Sequence, residues 1–90
     1  MNHAVKHYSF EHEPIKHKNV WDIPGIDQKF QVIFAQYGIT HATQLLGQFM
    51  MFNFDTVRFA TWLSTISPMI SHNNIMLCTN SLKDWCSTNL

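Results

Sequence analysis

Apolar side chains recur along the middle of the chain at the spacing of one face of a helix. From Phe30 to Tyr37 the apolar positions follow the three- and four-residue intervals that place side chains on one side. Asp27 precedes this run and can cap a helix, and Gly38 follows it, as glycine commonly does after a last helical turn. The pattern therefore predicts a helix over 28–37.

Three more helices are predicted beyond this one. The second begins after Thr40, the third begins after the capping residue Asp55 and ends before Pro68, and the last lies near 71–87. Their apolar faces carry, in order, Ala42, Leu45, Leu46, Phe49 and Met50, then Val57, Ala60 and Leu63, then Ile75, Cys78, Leu82, Trp85 and Cys86. Gly47 lies in the middle of the second predicted helix, where glycine costs about 1 kcal/mol relative to alanine. We therefore expect it to be there because it allows close packing.

The rest of the sequence adds little regular structure. A helix before Pro14 is only weakly patterned, and no stretch alternates between apolar and polar residues with a period of two. No repeat, linker or low-complexity tract divides the chain. We therefore expect residues 1–90 to form a single compact all-α domain of five to six helices.

Charged residues are scarce and balanced. They make up 13% of the sequence, against about 25% in an average soluble chain. Six Lys and Arg oppose six Asp and Glu, and 46% of the residues are apolar, which excludes a disordered chain and a strongly cationic nucleic-acid binder. No charge occurs between Lys29 and Asp55 or between Arg58 and Lys83, but Gln, His and Asn interrupt both stretches, so neither predicts a membrane span.

The size and the two cysteines narrow the class of protein further. Two cysteines are too few for a disulfide scaffold, and we expect Cys78 and Cys86 to be buried thiols of an intracellular protein. A domain of this size buries only about 60% of its unfolded surface, so we expect oligomerisation to add stability.

His3 and His7 could join His12 in a metal cluster, but zinc sites usually include cysteine ligands, and neither cysteine is near in sequence.

No arrangement of residues typical of catalysis is present. Paired carboxylates, a nucleophile with a neighbouring base and a phosphate-binding loop are all missing from the sequence pattern. We therefore predict that the protein is not an enzyme and holds no metal or other cofactor.

The segment over about 20–37 is the most informative local feature. An apolar turn, Ile23-Pro24-Gly25-Ile26-Asp27, leads into the first predicted helix, which is the outline of a helix–hairpin–helix. In that motif glycines let the backbone approach a phosphate, and N–H groups at the start of the second helix point at it. A short structural turn before a helix explains the same residues, so both interpretations stay open on the hairpin alone.

An ordered set of residues along the whole chain resembles the barrier-to-autointegration factor family. The similarity is tightest at Leu46-Gly47-Gln48-Phe49 and extends to both ends of the chain. The other matching positions are Lys6, His7, Phe10, Glu13, Pro14, Lys18, Val20, Gly25, Ile26, Gly38, Ala42, Phe59, Trp62, Leu63, Cys78, Leu82, Trp85, Cys86 and Leu90.

The resemblance implies a fold, partners and a cellular site. Family members are all-α, form symmetric dimers and bridge double-stranded DNA at chromatin and the nuclear envelope. They also contact LEM-domain proteins, lamins and histones, and they do not insert into membranes. The implied DNA-binding residues are Lys6, Gly25, Ile26, Asp27 and Lys29. The implied dimer or partner interface comprises Leu46, Gly47, Gln48, Phe49, Met50 and Met51, although the residues alone favour a monomer core there.

The departures from the family concern the DNA-binding face. Asp27 stands where the family has its second hairpin glycine, and we expect its carboxylate to occupy the N–H groups that a phosphate would use. Family cations correspond to uncharged residues at Val32, Ile33, Asn73 and Met76. Two interpretations follow: a homodimer that binds duplex DNA more weakly than usual, or a dimerisation partner that lowers the DNA valence of a full family member.

Overall fold

Helices account for most of residues 10–90, the part of the chain that the computed structural model describes. Two short 3-10 turns precede four α-helices: Val20–Asp22, Gln28–Phe30, α1 (Gln31–Gln36), α2 (Ala42–Met51), α3 (Thr56–Ile66) and α4 (His72–Asn89). Within this range no strand forms, and one antiparallel bridge joins Asn19 to His41. The all-α prediction is confirmed, but these residues contain four α-helices rather than five or six. The predicted helix before Pro14 lies almost entirely outside the described residues.

Polar side chains at the helix ends explain where the helices begin. Asp55 accepts hydrogen bonds from the backbone N–H groups of Val57 and Arg58, each at 3.0 Å, as its capping position predicts. At the start of α2 the Gln44 carboxamide oxygen instead accepts from the backbone N–H groups of Thr40 at 2.8 Å and His41 at 3.0 Å. Local sequence therefore sets both starts.

One hydrophobic core lies between the helices and the hairpin. Its largest fully buried side chains are Phe10, Phe34, Phe49, Phe59, Ile23, Ile26, Leu45, Leu63, Ile75 and Leu82. Phe49 of α2 makes edge-to-face contacts with Phe59 of α3 and with Phe54, at centroid distances of 5.3 and 5.7 Å. The apolar face of α2 therefore packs within the fold of this chain. The edge-to-face contact between Phe49 and Phe59 sets how α2 lies against α3.

The long helix α4 connects the two ends of the described chain. The Trp85 indole donates to the Glu13 carbonyl at 2.8 Å, and the Asn89 amide donates to the Glu11 carbonyl at 2.9 Å. Cys78 and Cys86 are both buried on this helix, as predicted, and burial raises the pKa of the Cys86 thiol. None of the helices in residues 10–90 has the length and apolar character needed to cross a membrane.

Candidate nucleic-acid interface

The hairpin is a tight turn held by short-range backbone hydrogen bonds. The backbone N–H of Ile23 donates to Val20 at 3.2 Å, and that of Ile26 donates to Ile23 at 3.1 Å. The N–H of Phe30 donates to Asp27 at 3.0 Å, which starts the second 3-10 turn. Ile23 and Ile26 are fully buried and anchor the turn to the core, so its geometry is fixed by packing.

Gly25 sits where the turn presses against α4. Its φ is +92°, a left-handed value that favours glycine. A Cβ at this position would overlap the carbonyl oxygen of Asn74 and lie 3.1 Å from the backbone nitrogen of Cys78. The fold alone therefore requires a glycine here, and Gly25 and Ile26 are both buried. The hairpin surface that a ligand could reach is instead formed by Asp27–Lys29.

The Asp27 carboxylate does not cap the helix that follows it. Its backbone is extended, with φ −83° and ψ 153°, and its side chain makes no capping hydrogen bond. The predicted cap and the predicted occupation of the N–H groups by this carboxylate are therefore both wrong, because the side chain makes no hydrogen bond to the turn that follows. An ordinary φ also means that the local backbone does not demand glycine at position 27.

Few cations lie near the hairpin. Lys29 is exposed within the second 3-10 turn, and its Nζ lies 5.3 Å from the centroid of the Phe30 ring. Lys16 is exposed, whereas the Lys18 Nζ is paired with the Glu13 carboxylate at 2.6 Å. Lys6, the remaining predicted contact, lies outside the described residues. A phosphate at the hairpin would therefore meet Lys29 first.

The four positions that lack a family cation differ in their surroundings. Val32 is 62% exposed, and Asn73 is exposed at the start of α4. Ile33 packs against the core, and Met76 lines a shallow groove beside Val57 of α3. Val32 and Asn73 therefore leave an uncharged surface, Ile33 adds apolar packing, and Met76 adds an apolar wall to the groove.

The predicted interface on α2 divides into buried and exposed residues. Leu46 and Phe49 belong to the core of the subunit, so they offer a partner almost no surface. Gly47 and Gln48 are half-buried. No atom lies within 4 Å of a Cβ built on Gly47, so the contact expected at this glycine is not made within the described chain.

The exposed part of this surface continues beyond the predicted residues. Met50 and Met51 are 39% and 81% exposed, and Phe54 in the following turn is 46% exposed. Asn53 and Phe54 have φ values of 59° and 62°, an uncommon conformation for a phenylalanine. Sequence reasoning missed Phe54, because no sequence pattern predicted the left-handed backbone of the turn in which it lies. Its ring contacts Phe49 and remains partly exposed.

Within the described range, no three His, Cys, Asp or Glu side chains come together in a group suited to a metal ion. His3 and His7 of the cluster considered above lie outside that range.

Comparison with known proteins gives a consistent family. A family model described as barrier to autointegration factor matches residues 1–89. Barrier-to-autointegration factor of Drosophila melanogaster is 30% identical over 83 residues, which cover 92% of this chain and 91% of that protein. Barrier-to-autointegration factor 1 of Caenorhabditis elegans is 29% identical over 85 residues, 94% of each chain. Barrier-to-autointegration factor A of Xenopus laevis is 31% identical over 83 residues, which cover 92% of this chain and 91% of that protein.

Proposed function

Since this chain belongs to the barrier-to-autointegration factor family, we propose that it binds double-stranded DNA in chromatin without reading the base sequence. Members of this family are DNA-binding proteins and not enzymes. The observation that carries the proposal for this chain is the hairpin, in which Gly25 at φ +92° is followed, after the buried Ile26, by a segment that is partly exposed at Asp27 and exposed at Gln28 and Lys29.

The proposed contact is made with the sugar-phosphate backbone. N–H groups in the first turn of a helix have no partner within that helix, and a nearby ammonium adds charge. In this chain the Asp27 side chain makes no capping bond to those N–H groups, and Lys29 is an exposed cation within the same turn. Lys6 adds a second cation in this proposal, and the contact with the duplex itself involves no base edge.

We expect the affinity to be lower than is usual for such a hairpin. Phosphate binding draws much of its free energy from cations that displace condensed counterions. Val32 and Asn73 are exposed and uncharged, and Lys18 is paired with Glu13. Fewer phosphates are therefore neutralised, and the dependence of the affinity on salt concentration is correspondingly shallow.

Asp27→Gly is expected to strengthen duplex binding by about 1 kcal/mol, because it removes a negative charge beside the N–H groups that would receive a phosphate. The measurement is fluorescence anisotropy with a labelled duplex at one fixed salt concentration.

Lys29→Ala is expected to lower the affinity for all duplexes equally, because it removes a phosphate contact. It should also lower the slope of log affinity against log salt concentration by about one unit.

Asp55→Asn is the matched control, since it removes the same charge while keeping an N-cap side chain at the start of α3. An equal gain for the variants at positions 27 and 55 would mean that only net charge matters. No gain at position 27 would place the DNA site elsewhere.

We also propose that two copies pair through the surface formed by Gly47, Met50, Met51 and Phe54. Gly47 has room for a Cβ within its own subunit, and the other three side chains remain exposed next to it in sequence. A two-fold interface buries the same patch twice, which suits a chain with a small core. Two hairpins in one dimer would then bridge two duplexes.

Gly47→Ala is expected to weaken the dimer while leaving the subunit folded. Alanine in a helix interior stabilises by about 0.5–1 kcal/mol relative to glycine, and nothing in the subunit opposes the added methyl group. Sedimentation equilibrium and circular dichroism measure the two effects separately. A wild-type protein that is monomeric at micromolar concentration, or a variant that dimerises as tightly as wild type, would contradict the proposed interface.

A second candidate function is modulation of a full family member by heterodimer formation. It is favoured by the exposed apolar surface at Met51 and Phe54 together with the uncharged positions Val32 and Asn73. A mixed dimer with one competent hairpin binds DNA but does not bridge it. A bridging assay separates the two functions: compaction by this protein alone supports the first, and inhibition only on mixing supports the second.

The proposed cellular site is the nucleus, at chromatin and the nuclear envelope, with some protein in the cytoplasm. LEM-domain proteins, lamins and histones are the further partners that we propose for the dimer. Immunoprecipitation of the wild-type protein and of Gly47→Ala tests whether these partners require the dimer.

A further inference from the structure

A groove of about 360 Å³ runs along the outer side of the hairpin. It lies between the first 3-10 turn, helix α1 and the start of α2. Its walls include Val20, Trp21, Val32, Ala35, Gln31 and His41. The volume falls within the range of about 300–1,000 Å³ that is usual for small-molecule sites. The groove is therefore large enough for one small ring system.

The chemistry of the groove favours a neutral, partly polar occupant. No Asp, Glu, Lys or Arg lines it, and its walls are mainly apolar. The exposed Gln31 amide has no hydrogen-bond partner within residues 10–90. The exposed His41 ring shares a hydrogen bond with Thr40 through Nδ1 at 2.9 Å, so Nε2 is the ring nitrogen left for a ligand. A planar heterocycle with edge donors and acceptors matches this combination of groups.

The groove lies one helical turn along the chain from Lys29, the cation of the proposed phosphate contact. Lys29 and Val32 are three residues apart on consecutive helical turns, which places their side chains on one face. Val32 lines the groove, and Lys29 stands one turn nearer the hairpin. A strand whose phosphate meets Lys29 would therefore carry its next base past the mouth of the groove.

We propose that the groove receives an unpaired nucleobase from a DNA strand whose phosphates lie at the hairpin. This inference rests on the proposed function and specifies its substrate as duplex DNA with a single-stranded end or gap. Trp21 lines the groove while it also packs against the core, and in this proposal its groove-facing atoms contact the base; stacking on an aromatic ring is worth roughly 1–3 kcal/mol per base and tolerates any base. The Gln31 amide and the His41 ring supply hydrogen-bonding groups for the base edge.

The test compares three labelled ligands: a blunt duplex, the same duplex with a short single-stranded overhang, and that duplex with an abasic overhang. The abasic overhang keeps the extra phosphates and lacks only the bases. We expect the normal overhang to raise the affinity about tenfold over the blunt duplex, the scale of one stacked base, and the abasic overhang to give almost no gain. An equal gain from both overhangs would overturn the proposal.

Ala35→Met is designed to fill the groove. Ala35 is an exposed residue of α1 that lines the groove, and methionine is a good helix former. Gln36→Met is the matched control, since it adds the same side chain one position along, outside the groove. We expect Ala35→Met to abolish the overhang advantage and keep blunt-duplex affinity, and Gln36→Met to keep both. Retention of the overhang advantage by Ala35→Met would overturn the proposal.

Two further outcomes separate the possible failures. Absence of binding to every duplex would overturn the proposed function and this inference together, whereas blunt-duplex binding with no overhang advantage would overturn this inference alone. If Ala35→Met changes the sedimentation of the protein but not its preference for overhangs, the groove is a protein–protein contact, and the proposal is wrong.

Discussion

Replacing Gly25 with alanine is expected to lower the free energy of unfolding by about 3 kcal/mol. Two costs add. A left-handed backbone costs an L-residue about 1–2 kcal/mol, and forcing a methyl group into a packed contact costs about 1–3 kcal/mol more. Here the methyl group would overlap the carbonyl oxygen of Asn74 on α4. This oxygen belongs to the helix backbone, so it does not move aside as the end of a flexible side chain would. Urea denaturation followed by circular dichroism measures the loss.

Gly38→Ala is the matched control for this prediction. Gly38 also has a positive φ, +74°, but nothing lies within 4 Å of the Cβ that alanine would add. It should therefore lose only the backbone cost of about 1–2 kcal/mol. Equal losses of unfolding free energy at both glycines would show that the overlap with α4 adds no cost, which would contradict the prediction.

The same result would change how Gly25 variants are interpreted in DNA-binding assays. If Gly25→Ala shifts the hairpin against α4, a loss of DNA affinity reports a displaced turn as well as a lost phosphate contact. Asp27 and Lys29 are cleaner positions for testing the DNA site, because both are at least partly exposed and neither is held in a strained backbone.

Phe49→Ala is expected to destabilise the subunit by about 3–5 kcal/mol, the usual cost of removing a buried phenylalanine ring. Phe49 is fully buried and contacts both Phe54 and Phe59, so the cavity would open at the α2–α3 contact. A domain of this size has a total stability of about 5–15 kcal/mol, so the loss is a large share of it. Thermal and urea denaturation measure it directly.

Met51→Ala separates the core from the proposed interface on the same helix. Met51 is 81% exposed, so its truncation should change subunit stability by no more than about 0.5 kcal/mol. It should instead raise the concentration at which the dimer dissociates. A Phe49→Ala protein that keeps wild-type stability and only dissociates would mean that Phe49 serves the interface rather than the core.

Local sequence signals predicted much of the helical framework. The capping residue Asp55 and the apolar spacing from Ala42 onward depend only on neighbours within one or two helical turns, and the helices begin where these signals place them. Family membership was also accessible from sequence, because an ordered set of matching residues extends along the whole chain.

The outcomes at Asp27, Gly25 and Phe49 were not predictable from local patterns alone. Asp27 stands at the N-cap position that the sequence predicts, but its side chain makes no capping hydrogen bond. The resemblance gave Gly25 a DNA-binding role, and the structure adds a packing role, because the backbone of Asn74, far away in sequence, lies beside it. The resemblance placed Phe49 at a partner interface although the residues alone favoured a core position, and its contacts with Phe54 and Phe59 show that it is buried in the core.

Local spacing and an ordered set of matching residues were enough to predict most of the helices and the family without any tertiary contact. Contacts between helices set which apolar side chains fill the core and which stay exposed. The physical reason is that burial is a property of contacts between segments: Phe49 and Met51 are two positions apart on one helix, yet α3 covers one and leaves the other exposed.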